Sequence, residues 1–112
     1  MPMPKKKKYV AKSEFRYNRN QKHITYVFED DGKKYTAVGI THQSKTFGKD
    51  NMPLAHNPQK YKTDKAYIRN GFIRDRYSSY GRPNKNYAFS SEDFPKVKAK
   101  IRNYKKKRKK NK

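Results

Sequence analysis

Residues 23–29 read H-I-T-Y-V-F-E and residues 34–41 read K-Y-T-A-V-G-I-T, joined by Asp30-Asp31-Gly32-Lys33. Two β-branched and aromatic runs around a short polar turn with a glycine predict a β-hairpin. By the two-residue period of a strand, Ile24, Tyr26 and Phe28 share one face, and Thr25 and Val27 the other. Val27, Val38 and Ile40 leave neither face wholly polar, so the hairpin is expected to lie centrally in a sheet.

Downstream, residues 41–64 are polar and broken by Gly48, Pro53 and Pro58, with Phe47, Met52, Leu54 and Tyr61 as the apolar anchors. A loop of this length in a small domain is functional or mobile. A second strand pair is predicted at residues 66–69 and 72–77, then a polar turn over 78–86 and a short strand or connector at 87–89. Ser90-Ser91-Glu92-Asp93 supplies hydroxyls and carboxylates where a helix N-terminus needs them. Phe94, Val97, Ile101 and Tyr104 then recur on one helical face, with Pro95 confined to the first turn. The expected fold is α+β: a small antiparallel sheet with a C-terminal helix packed on it, within a single domain spanning residues 23–104.

The chain has 112 residues, 31 Lys+Arg and 9 Asp+Glu, for a formal charge of +22. Residues 1–22 contribute +7 and residues 99–112 contribute +9. Blocks of like charge repel themselves and bury little apolar area. Residues 1–22 and the lysine-rich 105–112 are accordingly expected to be disordered basic tails, and removing 105–112 is expected to leave folding intact. Such a charge calls for a polyanionic partner. No apolar stretch approaches the ~20 residues of a membrane span, no signal-peptide pattern follows the basic start, and cysteine is absent. A membrane partner is not expected, and a cytoplasmic setting is.

The histidines at 23, 42 and 56 show no metal-ligand spacing, and no phosphate-loop, dinucleotide or nucleophile-elbow motif occurs. Neither a metal nor another cofactor is expected. Metal-free RNA cleavage asks for less: a base for the 2′-OH, an acid for the leaving oxygen, and cations around the phosphorane. His42, among Thr41, Gln43, Ser44, Lys45 and Thr46, is the histidine best surrounded by polar groups. His23, at the strand start, is expected to contribute little, and His56-Asn57-Pro58 reads as a turn. Arg69, Arg74 and Arg76 offer guanidinium forks to phosphate, with Tyr67 beside them if the faces agree. Tyr80 and Arg82 mix ring and cation in the manner of a single-strand surface. Lys98, Lys100, Arg102, Lys105, Lys106, Lys107 and Arg108 make the last helix a phosphate binder, together with Lys45.

The order of these segments suggests a family. A hairpin ending in Thr41-His42-Gln43-Ser44, a loop with Leu54-Ala55-His56-Asn57-Pro58, then Ala66-Tyr67-Ile68-Arg69, and Phe89-Ser90-Ser91-Glu92-Asp93 opening a terminal helix resembles small phage and mobile-element proteins related to the barnase, colicin and RelE group of ribonucleases. The resemblance implies metal-independent RNA cleavage by a toxin, with catalytic roles for His42, Tyr67, Arg69 and Ser90.

The sequence thus points to nucleic acid, RNA before DNA, as partner, either as a ribonuclease toxin or as a non-enzymatic protein docking on the ribosome or a guide-RNA complex. A DNA-binding accessory role fits less well, since the terminal helix offers few base-reading side chains. The charge leads to a first prediction. With roughly 6 to 10 phosphate contacts, affinity for RNA falls about 10³- to 10⁵-fold between ~50 and ~200 mM salt in a filter-binding titration. A flat dependence would remove the electrostatic account.

Overall fold

The computed structural model of the chain describes residues 14–110, with side chains as far as Arg108. The tail expectations for residues 1–13 and 111–112 lie outside these. Seven strands form: β1 (Phe15–Asn18), β2 (His23–Asp30), β3 (Lys34–Thr41), β4 (Lys45–Thr46), β5 (Lys49–Asp50), β6 (Met52–Pro53) and β7 (Tyr67–Arg76). A 3-10 turn at Tyr77–Ser79 follows, then the helix α1 (Phe94–Lys110). The main sheet is antiparallel with order β1-β2-β3-β7-β6, and β4 and β5 make a separate ribbon. The architecture is therefore α+β, with the predicted hairpin at the centre. No helix among the described residues is long and apolar enough to cross a membrane.

One sheet face carries the main core. Phe15, Tyr26, Val38, Ile40 and Ile68 bury against Val97 of α1, with Ile24, Phe28, Phe72, Phe94 and Ile101 packed around them. Aromatic rings do much of this packing: Phe15 lies 5.1 Å from Tyr26 and 4.9 Å from Phe89, and Phe72 stacks on Tyr104 at 4.1 Å. The predicted helical face over residues 94–104 is the one that docks.

Three boundaries differ from the expectations. First, β1 lies inside the segment expected to be a tail: Phe15 is fully buried in the core although the residues around it are polar and basic. Second, the strand pair expected at 66–69 and 72–77 is one ten-residue strand. Asn70-Gly71 has the composition of a hairpin turn, but the Asn70 backbone N–H donates to Asn51 Oδ1 and its amide to the carbonyls of Thr46 and Lys49. Tertiary partners thus take the groups a turn would use, and β7 runs on with a bulge, Val38 facing Phe72 and Ile40 facing Ile68. Third, residues 105–110 continue α1 instead of forming a tail. Arg108 forks onto the Glu29 carboxylate at 2.9 and 3.0 Å and lies over the Tyr104 ring, and Lys105 lies over Phe28. The lysine block is ordered because the sheet supplies a carboxylate and rings for it. Residues 87–89 form a connector, with a single bridge from Gln59 to Tyr87.

The opposite face is partly closed. β1 and β7 are separated by two strands, yet Asn18 Nδ2 and Asn20 Nδ2 both donate to Asp75 Oδ2, at 3.3 and 3.0 Å. Twist curls diagonal corners of a sheet toward each other. Residues 79–81 span the gap, with Arg19 N–H bonded to Ser79 O and Gly81 N–H to Tyr17 O. Beneath them Val27, Ala37 and Tyr80 form a second small core with Tyr35 and Ile73.

Asp93, fully buried, anchors the start of α1. Its carboxylate accepts the backbone N–H of Ala55 and His56 at 2.7 and 2.9 Å. Burial alone would raise its pKa; these bonds, with Ser90 and Lys96, outweigh it and hold the carboxyl below its ordinary value. The placement of β1 is checked by Phe15→Ala, which lowers unfolding free energy by about 3 to 5 kcal/mol in a denaturant melt. An unchanged melt would return β1 to the status of a tail.

Candidate active site

The part of the second face that residues 77–81 leave open is a groove of about 330 Å³ lined by Gln21, Thr25, Gly39, Phe47, Arg69, Asn70, Gly71 and Ile73, among others. Thr25 and Gly39 are cross-strand partners. Carrying that register two residues on sets His23 opposite Thr41, and Thr41 itself pairs with Tyr67. His23, Thr41 and Tyr67 thus form one row across the sheet, with Thr25, Gly39 and Arg69 in the region below it.

Arg69 occupies this face because Gly39 has no side chain. A Cβ at position 39 would lie 2.8 Å from Arg69 Cδ, so the stem of Arg69 passes where another residue would block it. Its Nη1 donates to Gln21 Oε1 at 3.2 Å. Among the described residues Arg69 makes no ion pair, whereas Arg16 pairs with Glu14, Arg74 with Asp31 and Arg108 with Glu29.

His42 follows β3 and is exposed; its Nδ1 bonds the Lys65 carbonyl at 3.0 Å. A carbonyl only accepts, so Nδ1 carries the hydrogen and Nε2 is left for another partner. His23 is half-buried and lies close enough to Arg69 and His42 to respond to both. Its pKa is held below 6.5, first by burial and then by the positive charge of Arg69 and His42. At neutral pH His23 is therefore mainly the neutral imidazole.

His23, expected to contribute little, lies within electrostatic reach of Arg69 and His42, and Tyr67 and Arg69 fall in the part of the sheet next to it. Ser90 does not. Its hydroxyl donates to Asp93 Oδ2 and accepts the Asp93 N–H, both at 3.1 Å, capping α1 beside the main core. His56 stands nearby, 3.2 Å from Glu92.

The other expected binding residues divide by what they touch. Tyr80 is buried in the second core, which pushes its pKa up to about 12, and presents no face for stacking. Arg74 holds the hairpin turn through Asp31, whose carboxyl sits well below the ordinary range because the backbone N–H of Lys34 and Lys33 bond it along with Arg74. Arg108 is the clamp on Glu29. Lys45 stands 3.7 Å from Asp50 in an exposed pair. Arg76, Arg82, Lys98, Arg102, Lys105, Lys106 and Lys107 are exposed. Lys100 lies partly buried over the Phe72 ring, and burial followed by the charge of Lys107 lowers its pKa. With Lys96 and Lys107 it borders a groove of about 690 Å³ between α1 and the β6–β7 edge.

His23, Gln21 and Phe47 are the residues the sequence reading missed. For His23 the hairpin register carried the signal, since continuing it from the turn places His23 beside the end of β3. No protein-family model, curated protein or solved structure matches this chain.

The electrostatic coupling is checked by proton NMR of the histidine C2 protons. His23 titrates with a midpoint below 6.5, and Arg69→Ala moves that midpoint upward because one of the charges opposing protonation is gone. A His23 midpoint at or above 6.5 in the wild-type protein would separate the two residues.

Proposed function

We propose that this protein binds RNA and cleaves it without a metal, as an intracellular ribonuclease of the kind suggested by its resemblance to the barnase, colicin and RelE group. The observation that carries the proposal is the row His23, Thr41 and Tyr67 beside an Arg69 that makes no ion pair among the described residues, with His23 close enough to Arg69 and His42 to feel both charges. Neutral His23 takes the 2′-hydroxyl proton as that oxygen attacks the adjacent phosphorus. Protonated His42, fixed by its bond to Lys65 O, gives its Nε2 proton to the departing 5′-oxygen. Arg69 faces the charge on the non-bridging oxygens of the phosphorane, where a fixed cation acts most strongly. The products are a 2′,3′-cyclic phosphate and a 5′-hydroxyl, and the proton taken balances the proton given. Tyr67, in the same row, borders the phosphate. The exposed cations of α1 on the other side of the sheet extend the contact with the RNA backbone.

The pH dependence has a defined sign. As pH falls through the lowered pKa of His23 the base is protonated, so kcat/KM falls on the acid side at a pH below 6.5.

Single-stranded RNA incubated with the protein in EDTA is cut to fragments ending in 2′,3′-cyclic phosphate. His42→Ala and His23→Ala each reduce the rate by about 10² to 10⁴ while leaving affinity within a few-fold. Arg69→Ala weakens both, since a phosphate clamp acts on bound substrate and transition state alike. RNA that is bound but stays intact over hours would reject cleavage and leave a non-enzymatic protein docking on the ribosome or another ribonucleoprotein.

A further inference from the structure

Phe47 is 93% exposed, and its φ of 53° lies in the left-handed region. With Gly48 at φ 76° it forms the two-residue tip of the β4–β5 hairpin, between the pair Thr46 and Lys49. Such a turn favours Asn-Gly, and a phenylalanine there is unfavourable in its backbone and gains no burial. The tip is nonetheless held firmly. Asn51 donates to Gln43 O and Thr46 Oγ1, and Asn70 to the carbonyls of Thr46 and Lys49. Two buried or half-buried asparagines thus position an aromatic ring at the mouth of the 330 Å³ groove.

Gly71 leaves open space at that groove, Gly39 admits the Arg69 stem, and Gln21, Asn70 and Arg69 border it with amide and guanidinium groups. Its volume is at the lower end of small-ligand sites. A ring on one side and hydrogen-bonding groups at the edge are what a nucleobase requires: a flat π-face to stack on and partners for its polar rim.

We propose that this groove takes one unpaired nucleobase, stacked on Phe47 and bonded at its edge by the Gln21 amide or by Asn70 Oδ1. The site rests on the RNA-binding reading above and makes it specific for single strands, because a duplex keeps its bases stacked and out of reach.

The chain has no tryptophan, so Phe47→Trp introduces a lone fluorophore at the tip. Single-stranded RNA quenches the indole emission, whereas an RNA duplex binds without quenching it. Phe47→Ala weakens single-strand affinity about 5- to 100-fold and leaves duplex affinity within twofold. Phe47→Gly relieves the backbone, so it raises the thermal midpoint while weakening single-strand binding to the same degree. A side chain kept for structure would show the opposite change in stability. If Phe47→Ala binds single strands as tightly as the wild type, the base site is wrong and the RNA-binding reading stands. If the wild type binds neither RNA, both fall.

Discussion

A missing side chain at position 39 decides what the open face of this sheet can do. The Arg69 stem lies across β3 in space that a Cβ at Gly39 would take, and a bulge in β7 sets extra residues opposite that glycine. Asn70, which with Gly71 supplies that slack, is tied at the same time to the β4–β5 ribbon. One local irregularity therefore aims a guanidinium, opens a groove and seats the hairpin that carries Phe47. A regular ladder would have closed the face with alternating side chains.

The chain has few carboxylates, and most of the structural ones sit where an arginine or a backbone terminus needs them. Glu29 holds the end of α1, Asp31 holds the hairpin turn with Arg74, and Asp93 holds the start of α1 against the loop at Ala55 and His56. Asp75 joins two distant corners of the sheet. These bonds use negative charge to close the fold against its own positive repulsion. Among the described residues they leave Arg69, Lys98, Lys100 and Lys105 without an ion pair, whereas Lys96 pairs with Asp93 at 3.5 Å. Lys98, Lys100 and Lys105 hold their ammonium groups over the rings of Phe94, Phe72 and Phe28.

The central hairpin, the docking face of α1 and the strong positive charge were legible in the sequence. Each depends on spacing within a short window: alternation over residues 23–41, the helical period from Phe94 to Tyr104, and simple counting of charge. β1 was not legible, since a four-residue strand with one buried ring, Phe15, has too little periodicity to stand out from the basic residues around it. The asparagine-glycine pair at 70 and 71 misled for a related reason. Its turn chemistry is real, but partners distant in sequence claimed the hydrogen bonds.

The sequence by itself determined that the protein is an α+β domain with a charge suited to a polyanion, because hydrophobic period and net charge are properties of the chain before it folds. Tertiary structure decided the rest. Strand register and bulge set His23, Thr41 and Tyr67 in one row beside Arg69, twist buried Tyr80 that reads as a surface ring, and Ser90 became the cap of α1. The ion pair with Glu29 turned Arg108 from a tail residue into a clamp. All of these depend on which distant groups meet, and that is fixed only when the sheet has closed.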